Sequence, residues 1–86
     1  MPEICRFFGI VIKMFIDDHQ PPHFHAEYGE FQALIDIRSL SVFSGRLPPR
    51  IIGFVIEWAT LHQQELMEDW ERAQEKNPLE KIDPLE

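Results

Sequence analysis

Three histidines lie close together in the sequence, at positions 19, 23 and 25. His23 and His25 are two residues apart, so on a strand both imidazoles project from the same face of the sheet. Neutral imidazole and carboxylate are ligands for zinc and other first-row divalent metals. The spacing therefore indicates a divalent metal site formed by His23, His25 and Glu27, with His19 contributed by the preceding loop.

The same segment also suits acid–base chemistry without a metal. Histidine exchanges protons near neutral pH, and a carboxylate facing its ring can orient it. If residues 23–37 form a hairpin, Asp36 lies opposite His23, and the two are candidate catalytic residues of a small hydrolase or ribonuclease. A third hypothesis is structural, with the histidines only bracing the loop. The residues leave these alternatives open and identify no reaction.

Strands are the elements that must position these histidines. Segments 4–8 and 10–16 are rich in β-forming residues and flank Gly9, which predicts a hairpin or a bulged turn. Alternate residues of the second segment, from Ile10 to Ile16, are expected to face the core. Residues 17–22 carry two aspartates and two prolines, which end the strand and form a loop.

A second hairpin is predicted to follow this loop. Its strands, residues 23–28 and 31–37, flank Gly29 and Glu30, and glycine at the first position of a two-residue loop favours a type II′ turn. In that register one face is entirely apolar. The other face carries the histidines and Glu27.

Residues 39–49 contain Ser-Gly and Pro-Pro pairs, which indicate an irregular connection. A long helix is predicted to start near Pro49 and to end before Asn77, because apolar residues recur there at helical spacing. Its buried stripe comprises Ile51, Val55, Trp58, Leu66 and Trp70, widened by Phe54 and Leu61. The predicted fold is α+β: a four-stranded antiparallel sheet of two hairpins with the helix on one face. The predicted division is a single ββββα domain over residues 1–76 and a tail over residues 77–86.

Composition limits the expected location and partners. No apolar run approaches the ~20 residues of a spanning helix, and a single cysteine, Cys5, cannot form an intramolecular disulfide, so a cytoplasmic protein without a membrane anchor is expected. The net charge of −7 disfavours nucleic acid as a partner. Open sheet edges and an uncovered, partly apolar face with Val11, Phe15 and Leu34 instead predict homodimerisation or a protein partner.

The sequence also resembles a known family, the bacterial domain of unknown function 4160. The resemblance rests on an opening motif, a histidine–proline motif, a helical tryptophan and a closing motif. The residues concerned are Met1, Pro2, Ile4 and Arg6; Asp18, His19, Pro21, Pro22, His23 and His25; Trp70; and Ile82, Pro84 and Leu85. It implies a small bacterial protein of unassigned activity, and it supplies no catalytic residue.

The family resemblance further implies a companion protein, since its members are found in two-gene arrangements with another small family. The first functional expectation is therefore a partner-binding component of a toxin–antitoxin-like or regulatory module. The second is a metal-dependent or histidine-dependent hydrolase or nuclease that uses His19, His23 and His25. For the second, the cofactor is left open, with a divalent metal such as zinc as a candidate.

Overall fold

The fold is α+β, as predicted, but it contains one more strand and one more helix than the sequence pattern indicated. The computed structural model describes residues 3–86, so Met1 and Pro2 of the opening motif lie outside the described residues. The elements are β1 (Glu3–Phe7), β2 (Ile10–Lys13), β3 (His23–Tyr28), β4 (Phe31–Asp36), β5 (Val42–Arg46), α1 (Pro49–Leu61) and α2 (Gln63–Gln74). The strands form one antiparallel sheet in chain order.

The additional strand, β5, corrects the prediction that residues 39–49 are irregular. It pairs with β4 with a bulge between Val42 and Ser44, and the nearby Gly45, opposite Ala33, has a φ of +74°. A Cβ at Gly45 would lie 2.2 Å from the carbonyl oxygen of Gln32, so this position requires glycine. The Ser-Gly pair that resembles a turn in the sequence is thus part of a bulged edge strand.

The predicted single helix is interrupted at His62, which has φ −122° and ψ 23°. The helical spacing of apolar residues continues across the interruption, which is why the sequence predicted one helix. The five residues of the predicted stripe are buried, Phe54 is partly buried, and Leu61, next to the interruption, is exposed.

The core lies between one face of the sheet and the two helices. Trp58 of α1 packs its indole against Phe7 and Phe24, at ring centroid distances of 5.6 and 5.8 Å. Ile10, Ile12 and Met14 are buried, as predicted for the inward face of the second strand. Ile16 is exposed, contrary to prediction, because β2 ends at Lys13 and the chain turns at residues 16–17.

The β3–β4 hairpin has the predicted register. His23 lies opposite Asp36, and Tyr28 lies opposite Phe31. At the turn Gly29 has a φ of +58°, as a type II′ turn requires at its first position. His25 and Glu27 therefore lie on the sheet face opposite the helices.

The last ten residues pack along β1 and the helices. The Ile82 side chain is buried, and its N–H donates to the carbonyl oxygen of Ile4 at 2.9 Å. The indole N–H of Trp58 donates to the carbonyl oxygen of Asp83 at 2.7 Å. Neither helix within residues 3–86 is long and apolar enough to cross a membrane.

Candidate metal centre

Asp18, His23 and His25 bring their polar side-chain atoms together at the start of β3. One oxygen, Oδ2 of Asp18, lies 3.0 Å from Nε2 of His23 and 3.1 Å from Nε2 of His25. One potential ligand atom from each residue lies within 4.8 Å of the other two. His23 is buried, while His25 and Asp18 keep part of their side chains exposed, so the cluster is accessible from one side.

The hydrogen bonding of His23 determines which of its nitrogens can bind a metal. Its Nδ1 lies 2.7 Å from the carbonyl oxygen of Pro21, which can only accept a hydrogen bond, so Nδ1 carries the proton. In the neutral ring Nε2 then has a free lone pair, and this lone pair faces the Asp18 carboxylate. Two acceptors are stable at 3.0 Å only if a second proton or a metal cation lies between them.

The separations of Asp18 Oδ2 from the two imidazole nitrogens fit both a hydrogen bond and the coordination of a small divalent cation. Metal bonds of about 2.0–2.1 Å place neighbouring ligand atoms about 2.9 Å apart at a right angle and about 3.3 Å apart in a tetrahedron. The two contacts of Asp18 Oδ2, at 3.0 and 3.1 Å, lie within this range. The Pro21 carbonyl that holds His23 Nδ1–H is the type of outer partner that orients metal-binding imidazoles.

The loop that carries Asp18 is attached to the end of α2. The N–H of Asp17 donates to the carbonyl oxygen of Ala73 at 3.1 Å, and the side-chain amide of Gln74 donates to the carbonyl oxygen of Asp18 at 3.1 Å. At the other end of the loop the N–H of Ile37 donates to the carbonyl oxygen of Pro22 at 3.0 Å. Packing of α2 on the sheet therefore fixes the position of the carboxylate relative to the histidines.

The environment of Asp18 favours its ionised form. Partial burial alone would raise the pKa of this carboxyl group. The hydrogen bonds from the His25 ring and the His19 backbone N–H, together with the charges of His23 and His25, outweigh burial and lower the pKa below its ordinary value. Asp18 is thus available as an anionic ligand across the neutral range.

Three of the sequence-predicted site residues lie outside this cluster. His19 is exposed, and only its backbone N–H contacts Asp18. Glu27 forms an ion pair with Lys13, with Oε1 3.1 Å from Nζ. Asp36 lies opposite His23, but its Oδ1 accepts hydrogen bonds from the backbone N–H groups of Arg38 and Ser39.

Asp18 itself was not among the predicted ligands. It precedes His19 directly in the histidine–proline motif, and this position was the available sequence signal. A loop of six residues leaves the direction of the carboxylate undefined, because that direction depends on the attachment of the loop to α2.

Two phenylalanines border the cluster. The ring of Phe15 packs edge-on against the His25 imidazole, with centroids 4.6 Å apart and an interplanar angle of 76°. The ring of Phe43 packs in the same way against His23, at 5.5 Å and 84°. Their residues are 38% and 45% exposed, so both phenylalanines are partly in contact with solvent.

Comparison with known proteins places these features in a family. The family model described as a domain of unknown function, DUF4160, matches residues 9–71, which is well over half of the chain. The matched segment contains Asp18, His23, His25 and both bordering phenylalanines. No curated protein and no solved structure matches the chain. The chain therefore belongs to the DUF4160 family.

Proposed function

We propose that this domain binds a divalent transition metal through Asp18, His23 and His25, with zinc as the first candidate. The observation that carries the proposal is the 3.0 Å contact between His23 Nε2 and Asp18 Oδ2, in a ring whose Nδ1 is already hydrogen-bonded to the Pro21 carbonyl. Two imidazoles and one carboxylate are a recurrent donor set for zinc and for non-haem iron.

Three protein ligands leave coordination positions for water and a substrate. A metal with such open positions polarises a bound carbonyl or phosphoryl group and lowers the pKa of bound water, which supports hydrolysis. His25 and Asp18 lie on the accessible side, so a substrate would approach past them. The buried His23, held by the Pro21 carbonyl, would anchor the metal.

A proton is the competing occupant of the contact between His23 and Asp18. In that case His23 is an imidazolium that donates to Pro21 and to Asp18, and the cluster is a structural ion pair that braces the loop. A proton and a metal cation cannot both occupy His23 Nε2. Metal binding and release of protons are therefore linked, and measuring both separates the two hypotheses.

The decisive experiment is isothermal titration of the metal-stripped protein with Zn²⁺ in buffers of different ionisation enthalpy. We expect one equivalent to bind with release of protons. His25→Ala should lower the affinity by more than the about 10–100-fold that changes to outer partners of metal ligands typically cause. His19→Ala is the matched control, because this histidine belongs to the same loop but lies outside the cluster, and it should bind like the wild type. Equal weak binding by all three proteins would contradict the proposal.

A second function, partner binding, is favoured by the free edge of the sheet. The tail covers part of the β1 edge through Ile82. Within residues 3–86, β5 pairs with β4 alone and is exposed from Phe43 to Arg46. We propose a homodimer in which two β5 strands pair antiparallel about Ser44. A protein partner encoded in a two-gene module is the alternative occupant of the same edge, and it rests on the family resemblance.

Sedimentation equilibrium tests the dimer. We expect a dimer mass for the wild type and a monomer mass for Ser44→Lys, because the substitution places like charges opposite each other at the centre of the interface. A monomer mass for the wild type at high protein concentration would exclude the homodimer.

A further inference from the structure

The two phenylalanines beside the candidate metal centre indicate which class of substrate it accepts. Only five large hydrophobic residues are exposed in the described part of the chain: Phe8, Phe15, Ile16, Phe43 and Leu61. Two of these five are the phenyl rings in edge-on contact with the two candidate ligand imidazoles. They come from different parts of the sequence, one following β2 and the other within β5.

From this arrangement we infer that the metal centre accepts a small molecule with an aromatic ring next to a metal-binding group. The inference rests on the proposed metal site. Ligand sites characteristically combine a few convergent polar groups with apolar and aromatic walls. Here Asp18, His23 and His25 supply the polar groups, and the partly exposed rings of Phe15 and Phe43 supply aromatic surface next to His25 and His23.

The contacts of the phenyl rings favour an aromatic group over an aliphatic one. Each ring already meets an imidazole in a T-shaped arrangement, which is the geometry preferred by aromatic pairs. The exposed part of each phenyl ring offers the same kind of contact to an incoming ring. Such ring pairs gain about 0.5–1.5 kcal/mol beyond the burial of apolar area.

Charge favours a small molecule over a nucleic acid polymer, although bases also stack on aromatic side chains. The chain carries a net charge of −7. The lysine beside the site, Lys13, is already paired with Glu27, so this cation is not free to contact a phosphate backbone. Polymer binding depends on neutralising many phosphates, which the net negative charge opposes.

Three hydroxamates with the same metal-binding head test the inference on the zinc-loaded full-length protein. Benzohydroxamate carries a phenyl ring, cyclohexanecarbohydroxamate carries an aliphatic ring, and acetohydroxamate carries a methyl group. Calorimetric titration should show that benzohydroxamate binds about tenfold or more tightly than acetohydroxamate, and more tightly than the cyclohexyl compound. Equal affinity for the two ring compounds would overturn the aromatic assignment.

Substitutions then test whether Phe15 and Phe43 contact the bound ring. Phe15→Leu and Phe43→Leu should each reduce the preference for benzohydroxamate by at least about threefold, while zinc content and acetohydroxamate affinity stay unchanged. Phe8→Leu is the matched control, because Phe8 is exposed but packs against Phe7 and Phe54 away from the site. A preserved preference in both test variants would overturn the inference and leave the metal site intact. Failure of the wild type to bind zinc would overturn the metal site, and the inference with it.

Discussion

The imidazole of His23 packs against the indole of Trp70, with ring centroids 5.3 Å apart. This contact joins the start of β3 to α2, the same helix whose end holds the loop of Asp18 through Ala73 and Gln74. The candidate metal centre is therefore built on a junction between the sheet and the second helix, although its ligands all come from the loop and β3.

The proximity of Trp70 to His23 predicts a fluorescence signal for metal binding. A paramagnetic ion such as Cu²⁺ or Co²⁺ at the site should quench Trp70 strongly because of the short distance. The chain has two tryptophans, so Trp58→Phe isolates the signal of Trp70 and should retain the quenching. Trp70→Phe leaves only the more distant Trp58 and should lose most of it. Equal quenching of both variants would indicate binding elsewhere.

Gln74 is predicted to be a positioning residue for the metal centre. Its side-chain amide donates to the carbonyl oxygen of Asp18 and so holds the carboxylate near the histidines. Gln74→Ala should lower Zn²⁺ affinity by about tenfold, in the range found for outer partners of metal ligands. The measurement is competitive titration against a chromophoric chelator.

A control for Gln74 exists on the same helix. The amide of Gln64 donates to the exposed Glu68 at 3.4 Å, and Gln64 lies near the start of α2, whereas Gln74 is the last residue of this helix. Gln64→Ala should therefore leave Zn²⁺ affinity unchanged. If both variants lost affinity equally, the effect would come from the helix as a whole and the positioning role of Gln74 would be refuted.

The sequence predicted the hairpin around Gly29 well because local rules determine it. A glycine at a two-residue turn and alternating apolar residues fix both the turn and the register, so His23 was correctly placed opposite Asp36. The helical stripe was equally predictable, since its periodicity depends only on helix geometry.

The strand β5 and the role of Asp18 could not be predicted in this way. β5 is a bulged edge strand, and its Gly45 is required by a contact with Gln32 of the neighbouring strand. The direction of Asp18 depends on hydrogen bonds to α2, more than fifty residues away in the chain. Both features depend on tertiary contacts, which cannot be predicted from a local sequence pattern.

The lowered pKa of Asp18 predicts how its contribution to stability depends on pH. The unfolded chain takes up a proton on this carboxyl group near pH 4, whereas the folded protein resists protonation to a lower pH. The contribution is therefore fully present above about pH 4 and is lost as pH falls through the lower folded pKa. In chelator-treated protein, the free energy of unfolding of the wild type should exceed that of Asp18→Asn at about pH 5.

The difference between wild type and Asp18→Asn should shrink steadily as pH falls below about 4 and through the lowered folded pKa of Asp18. Urea denaturation at a series of pH values measures it. Asp17→Asn is a suitable control, because Asp17 is exposed and its nearest cation, Lys76, lies 3.9 Å away with both side chains well solvated. If the difference in the free energy of unfolding between Asp18→Asn and wild type did not change with pH, the destabilisation would come from lost packing and not from lost charge.

The segment over residues 77–86 is predicted to contribute to folding stability, which also tests the expected domain limit at residue 76. The Ile82 side chain is 5% exposed, and Trp58 donates its indole N–H to the carbonyl oxygen of Asp83. Ile82→Ala should lower the free energy of unfolding by about 2–4 kcal/mol, as for other buried isoleucines. Lys81→Ala, at the exposed neighbouring position, should change it by less than about 0.5 kcal/mol.

Truncation after residue 76 should destabilise the protein at least as much as Ile82→Ala. A truncated chain with wild-type stability in urea would show that residues up to 76 fold independently of this segment.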